Sequence, residues 1–121
     1  MLDYSIMEPQ GILMLEPRTP ISKEDFEGLS ATVDGYLAQH AKLHGVLVHT
    51  REFPGYENFD GFIAHMHFVR KHHTQVERVA VVTDSVFASI AETLGKHFIA
   101  ADVRHFPFAD SPRALLWLQR E

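Results

Sequence analysis

The sequence predicts an α/β fold: a small mixed, mostly parallel β-sheet with an N-terminal β-hairpin and flanking helices. Three observations lead there. Val46-Leu47-Val48-His49-Thr50 and Val79-Ala80-Val81-Val82-Thr83 are nearly continuous apolar runs, the pattern of parallel strands buried on both faces. Segments with helical periodicity lie between and around them. Two short alternating segments, 2–7 and 11–16, are joined by Glu8-Pro9-Gln10-Gly11, which reads as a hairpin turn. The resulting order is β-β-α-β-α-β-α-β-α. Such alternation implies right-handed crossovers and a sheet covered by helices. At 121 residues the chain is expected to form one domain, 1–121.

Each element has a local reason. Glu16-Pro17-Arg18-Thr19-Pro20 forms a loop, because two prolines cannot continue a ladder. Ser22 caps the first helix, with Asp25 reaching back three residues later. Phe26, Leu29, Val33, Tyr36 and Leu37 give that helix one apolar stripe. Gly45, after Leu43-His44, reads as its stop. Asn58 caps a second helix that runs to His73. Asp84 or Ser85 caps a third, with Phe87, Ile90, Ala91 and Leu94 on one face and Gly95 near its end. Ala101–Phe106 reads as the last strand, with Asp102, Arg104 and His105 toward solvent or an edge. Ser111-Pro112, an N-cap followed by proline at the first helical position, opens the closing helix with Ala114, Leu115, Leu116, Trp117 and Leu118.

Composition excludes several functions. Apolar content of 45% and charged content of 22% are ordinary for a globular protein. The net charge of −5 argues against nucleic-acid binding by phosphate neutralisation. No cysteine is present, so there is no disulfide, thiolate nucleophile or sulfur-rich zinc site. The first ten residues lack a basic start and a long apolar run, so no signal peptide is expected. No stretch approaches the roughly 18 apolar residues of a membrane span. A cytoplasmic location is expected.

In this order, Arg78-Val79-Ala80-Val81-Val82-Thr83-Asp84, Ala101-Asp102-Val103-Arg104-His105-Phe106 and Ala114-Leu115-Leu116-Trp117-Leu118 resemble the SpoIIAA-like family. That family is related to STAS domains and shares its broad fold group with Sec14/CRAL-TRIO lipid-binding domains. The acidic and aromatic stretch from Phe53 to Phe62 fits as well. The resemblance covers nearly the whole chain and implies a SpoIIAA/STAS-like fold, no established enzymatic activity and frequent dimers; a homodimer and no cofactor are expected. Anti-sigma-factor antagonists of the STAS type carry a phosphorylatable Ser after the third strand. Here that region reads Thr50-Arg51-Glu52-Phe53-Pro54-Gly55-Tyr56-Glu57-Asn58, without Ser. The phosphorylation switch is therefore not carried over.

Nine histidines invite a metal, and spacing decides against it. Helical ligands to one ion need i, i+3 or i, i+4 placement, which His65, His67, His72 and His73 lack. His65 and His72 share a face but stand about 10 Å apart along it. His40 and His44 have i, i+4 spacing at a predicted helix C-terminus, where the macrodipole already favours a charged imidazole. A third ligand for that pair would be His49 or His105, brought in by the fold. Neither metal nor catalytic residues are assigned. Ser85 and Ser89 lack a nucleophile-elbow setting. Asp84 reads as a cap, and Gly55 and Gly61 form no phosphate-binding loop.

Function is therefore expected in Phe53–His73. On the helix from Asn58, Phe59, Phe62, Ile63, Met66 and Val69 form one stripe. Phe68 lies off it, near the face of Gly61, His65 and His72. An apolar arc this wide exceeds what a simple surface helix needs. Core packing explains part of it. The functional expectation is a lid that bends at Pro54-Gly55 over an apolar cavity. The ligand-binding residues would be Phe53, Tyr56, Phe59, Phe62, Ile63 and Met66, holding a nonpolar small molecule or lipid. Phe68, Arg70 and Lys71 would touch a membrane surface or a partner. Protonation of His65, His67, His72 and His73 near pH 6 would favour anionic lipid. The alternative is a regulatory protein–protein interaction domain whose same helix meets a partner or a second copy.

Overall fold

A computed structural model describes residues 1–85 and 100–120; elements are numbered among those residues. The sheet has five strands in sequential order: β1 (Leu2–Met7), β2 (Ile12–Pro17), β3 (Leu43–His49), β4 (Val76–Val82) and β5 (Asp102–Phe106). β1 and β2 are antiparallel, with Leu2 opposite Pro17 and Met7 opposite Ile12. From β2 to β5 every pairing is parallel. The mixed, mostly parallel sheet follows the sequence reading. The helix anticipated around Phe87, Ile90, Ala91 and Leu94, with Ser89 and Gly95, lies outside the described residues.

Successive strand side chains point to opposite faces, and the core divides accordingly. Leu13, Leu15, Val46, Val48 and Val79 face α1 (Lys23–Leu37) and α2 (Phe59–His72), whose Phe26, Leu29, Val33, Ala64 and Phe68 join the same cluster. Ile12, Leu47, Ala80, Val82 and Phe106 face α3 (Ser111–Gln119) through Ala114 and Leu118. Helices therefore cover both faces, and α1 packs beside α2.

Several boundaries differ from the sequence reading. α1 ends at Leu37, and β3 already begins at Leu43. Gly45 is thus no helix stop but an interior strand residue. A Cβ there would lie 2.9 Å from Leu118 Cδ2, so glycine lets α3 settle on the strand. His40 and His44 do not share a helix end. The His40 ring stacks 4.0 Å from Tyr36, while His44 leaves β3 toward Glu77 and the Arg120 carbonyl. β4 begins at Val76, because Val76 pairs with Leu43. Ser111 is the first residue of α3 rather than its cap, with Pro112 in the first turn.

The caps of α1 and α2 match the sequence. The Asp25 amide donates to Ser22 Oγ at 3.1 Å and the Ser22 amide to Asp25 Oδ2 at 2.9 Å. The Gly61 amide donates to Asn58 Oδ1 at 3.2 Å. Each cap of this kind stabilises by about 1 kcal/mol. Asp84 accepts the Phe108 amide at 3.0 Å, so its carboxylate ties β4 to the turn after β5. Arg78 on β4 closes the other end of the molecule. Its Nη1 donates to the carbonyl of Trp117 at 2.9 Å, in the last turn of α3, and to that of Arg120 at 2.6 Å, just past it.

Candidate functional site

The segment leading into α2 is fixed to the body of the protein. The Ile21 amide donates to the Gly55 carbonyl at 2.9 Å, and the Glu57 amide donates to the Ile21 carbonyl at 2.8 Å. Ile21 and Tyr56 form a one-residue parallel bridge between them. Gly55 takes φ +84°, a left-handed conformation that favours glycine. Pro54-Gly55 therefore makes a pinned turn rather than the bendable joint expected of a lid.

The inner face of α2 is closely packed. Gly61 is buried, and a Cβ on it would fall 2.5 Å from the Ile21 carbonyl oxygen. The His65 ring stacks on Phe26 at 4.9 Å and shares a 2.6 Å hydrogen bond, through Nδ1, with the Tyr56 hydroxyl. Burial pushes the His65 imidazole down to about 4 and the Tyr56 phenol up. Phe68 lies 6.3 Å from Phe26 and 4.5 Å from the His72 ring. His72 is only 2% exposed, yet both ring nitrogens have partners: the Phe68 carbonyl at 2.9 Å and Asp34 Oδ1 at 2.8 Å. Lys71 reaches the other Asp34 oxygen at 2.8 Å. Lys71 and then His72 hold the Asp34 carboxyl below its usual range.

These contacts reverse the expected orientation of the helix. Phe68, anticipated as an outer contact, belongs to the core cluster because Gly61, Ala64, His65, Phe68 and His72 form the inward stripe. The stripe anticipated to look into a cavity looks outward. Phe59 is 71% exposed, Met66 42%, Phe62 38% and Ile63 37%, with Phe53 at 37% beside them. Their rings touch in sequence, Phe53 to Tyr56 at 5.3 Å, Tyr56 to Phe62 at 5.5 Å and Phe62 to Phe59 at 5.8 Å. Tyr56 alone of the expected ligand set turns inward as well, through His65. Arg70 stays on the exposed side, and Lys71 is engaged by Asp34.

The structure takes His65 out of the anticipated pH response of this helix. His65 stays neutral down to about pH 4. No group of three His, Cys, Asp or Glu side chains suited to a metal occurs among those residues. No described helix is long and apolar enough to cross a membrane.

Beside the outward stripe, an open groove of about 390 Å³ runs between α1 and α2. Phe26, Ala64 and Phe68 are among its apolar walls, with Lys23, His67 and Lys71 among the polar ones. Sequence reasoning passed over Lys23 and Asp34. Asp34 carried a usable signal: it sits one turn before Tyr36-Leu37 on the helix that must pack beside α2, within reach of that helix's basic end. A second concavity, about 240 Å³, lies at the C-terminal ends of β2 and β3, between His49, Arg51, Arg18 and Phe108. There the Arg51 guanidinium lies 4.7 Å from the centre of the Phe108 ring, on which His49 also stacks at 4.4 Å.

A five-stranded, mostly parallel sheet covered on both faces, with its apolar surplus on one helix, defines a small α/β domain of the regulatory or binding type. The SpoIIAA-like family profile matches residues 12–119, and the chain belongs to that family. Among solved structures it is similar to an uncharacterised DUF3478-family protein with a SpoIIAA-like fold from Shewanella loihica PV-4. That similarity has a TM-score of 0.81 at 20% identity and covers 97% of this chain and 93% of the other. It concerns the fold. No curated protein matches the chain.

Proposed function

We propose that this protein is a non-enzymatic binding module that docks a nonpolar protein surface through the outer face of α2 and the adjoining Phe53 turn. One observation carries the reading: Phe53, Phe59, Phe62, Ile63 and Met66 are exposed side by side. Single exposed apolar residues are ordinary, whereas a contiguous aromatic patch marks an interaction surface. The inner face of the same helix is occupied by Phe26, Ile21 and Asp34, which favours docking on its outside over enclosure of a ligand beneath it. A membrane surface is less favoured. The patch carries Asp60 as well as Arg70, and the chain is negative overall.

The test uses an environment-sensitive apolar dye at submicromolar protein. Wild-type protein is expected to enhance its fluorescence. The Phe59→Ser/Met66→Ser variant is expected to lose most of that enhancement with an unchanged far-UV spectrum, since both side chains are exposed. Equal enhancement by the two proteins would remove this face from consideration.

The groove between α1 and α2 favours a second reading, uptake of a nonpolar small molecule or lipid. Its volume of about 390 Å³ falls within the usual range of small-ligand sites. Native mass spectrometry of freshly purified protein separates the two: a bound nonpolar mass supports the groove, and bare protein counts against it.

A further inference from the structure

We propose that the concavity at the carboxyl ends of β2 and β3 is a binding site for a small monocarboxylic acid, in which Arg51 holds the carboxylate. The site is separate from the outer face of α2 and does not depend on what docks there.

The concavity, about 240 Å³, opens at the end of the parallel sheet where α/β folds gather their ligands. Its parts are held in place by hydrogen bonds. The Thr50 amide donates to the Val82 carbonyl at 3.1 Å. The Arg51 carbonyl accepts the Asp84 amide and the Thr83 hydroxyl, each at 3.0 Å. The Phe108 amide donates to the Asp84 carboxylate at 3.0 Å. Arg51 and the aromatic residue beneath it are therefore both anchored to the strand end at Thr83-Asp84, before any ligand arrives.

The Arg51 guanidinium keeps its donors. It lies 4.7 Å from the centre of the Phe108 ring, and the His49 ring stacks on that same ring at 4.4 Å and 7°. Contact with a ring face orients a guanidinium without using its N–H groups. Among the described residues no carboxylate or carbonyl accepts from it. Arg18, on the opposite wall, differs: it donates through Nε to Asp3 and through Nη2 to Glu16 at 3.2 Å. Asp3 and Glu16 more than balance Arg18, which leaves Arg51 as the cation that a ligand can claim.

Charge and size select the ligand. The planar fork of a guanidinium matches the two oxygens of a carboxylate. Glu16 on the wall opposes a second negative charge, so a phosphate dianion fits less well. The volume lies below the roughly 300–1,000 Å³ of drug-sized sites, which calls for a small acid. Pro17 and the stacked His49 and Phe108 rings supply apolar surface for its body.

Nuclear magnetic resonance of the full, nitrogen-15-labelled chain tests this, with sodium benzoate as the probe and ionic strength held constant. The amides of His49, Thr50, Arg51 and Phe108 are expected to shift saturably, with a dissociation constant of about 1 mM. Benzamide, which has the same shape without the charge, and inorganic phosphate are each expected to bind about tenfold more weakly or worse. Arg51→Gln is expected to weaken benzoate by a similar factor. The remaining amides of that variant are expected to stay where they are, since Arg51 is exposed. Shifts in wild type that stay linear throughout the titration would overturn the proposal. So would shifts centred on α2, benzamide or phosphate binding as tightly as benzoate, or an Arg51→Gln variant that binds as wild type does.

Discussion

Between pH 6.5 and about 4 the protein is expected to lose roughly 2–3 kcal/mol of stability through His65 alone. The sign follows from where the proton goes. In the unfolded chain the imidazole takes up a proton near pH 6.5, while burial against Phe26 lowers that value to about 4 in the fold. Across this window the unfolded state binds more protons, so stability falls as pH falls. The contribution is whole above pH 6.5 and is lost as pH drops through about 4. Urea unfolding at a series of pH values measures it. His65→Phe keeps a ring on Phe26 and gives up the hydrogen bond to Tyr56. That loss shifts the whole curve by about 1 kcal/mol, while removal of the titrating imidazole takes away its part of the slope. The variant's curve is therefore expected to be flatter over this window by the His65 contribution. An unchanged slope would show that His65 is not the group responsible.

Gly61→Ala is expected to destabilise the protein even though alanine is the better helix former. In an open helix the change would gain about 1 kcal/mol. At this site the added methyl would lie 2.5 Å from the Ile21 carbonyl oxygen, with Tyr56 Cβ at 3.5 Å on its other side. The carbonyl has little room to retreat, because it accepts the Glu57 amide at 2.8 Å and shares the bridge to Tyr56. Overpacking against backbone costs about 1–3 kcal/mol, and the 2.5 Å approach to a held carbonyl puts this site toward the upper end, so a net loss of up to about 2 kcal/mol is expected. Gly35→Ala is the matched control. Gly35 is also helical, on α1, and a Cβ there meets nothing within 4 Å. Chemical denaturation of the two variants is expected to give opposite signs. Two stabilised proteins would mean that α2 can move off Ile21.

What could be read from the sequence was what is encoded locally. The buried strands announced themselves as apolar runs, and the caps at Ser22 and Asn58 as short-range hydrogen-bonding patterns. These fix the order of the elements and hence the fold. The orientation of α2 was not legible for a definite physical reason. The helix offers two stripes, and the richer in apolar side chains, Phe59, Phe62, Ile63, Met66 and Val69, is the natural candidate for burial. The protein turns Gly61, His65, Phe68 and His72 inward instead. Each acquires its fitness for the interior from a residue distant in the chain: Gly61 from the Ile21 backbone, His65 from Phe26 and His72 from Asp34. Periodicity counts hydrophobic residues and is blind to such partners. The same blindness placed Gly45 at a helix end, since its packing against Leu118 is a long-range contact.

The grip of Arg78 on the carbonyls at the end of α3 bears on how the molecule opens. A helix of nine residues normally frays from its last turn, where carbonyls lack amide donors. Here that turn is bound to the middle of the sheet, and Leu118 beneath it is fully buried over Gly45. Release of α3 therefore exposes the β3–β4 core at the same moment, so the helix and the central strands form one cooperative unit. In hydrogen exchange, the amides of the final turn of α3 would report the stability of the sheet and not that of a free helix end.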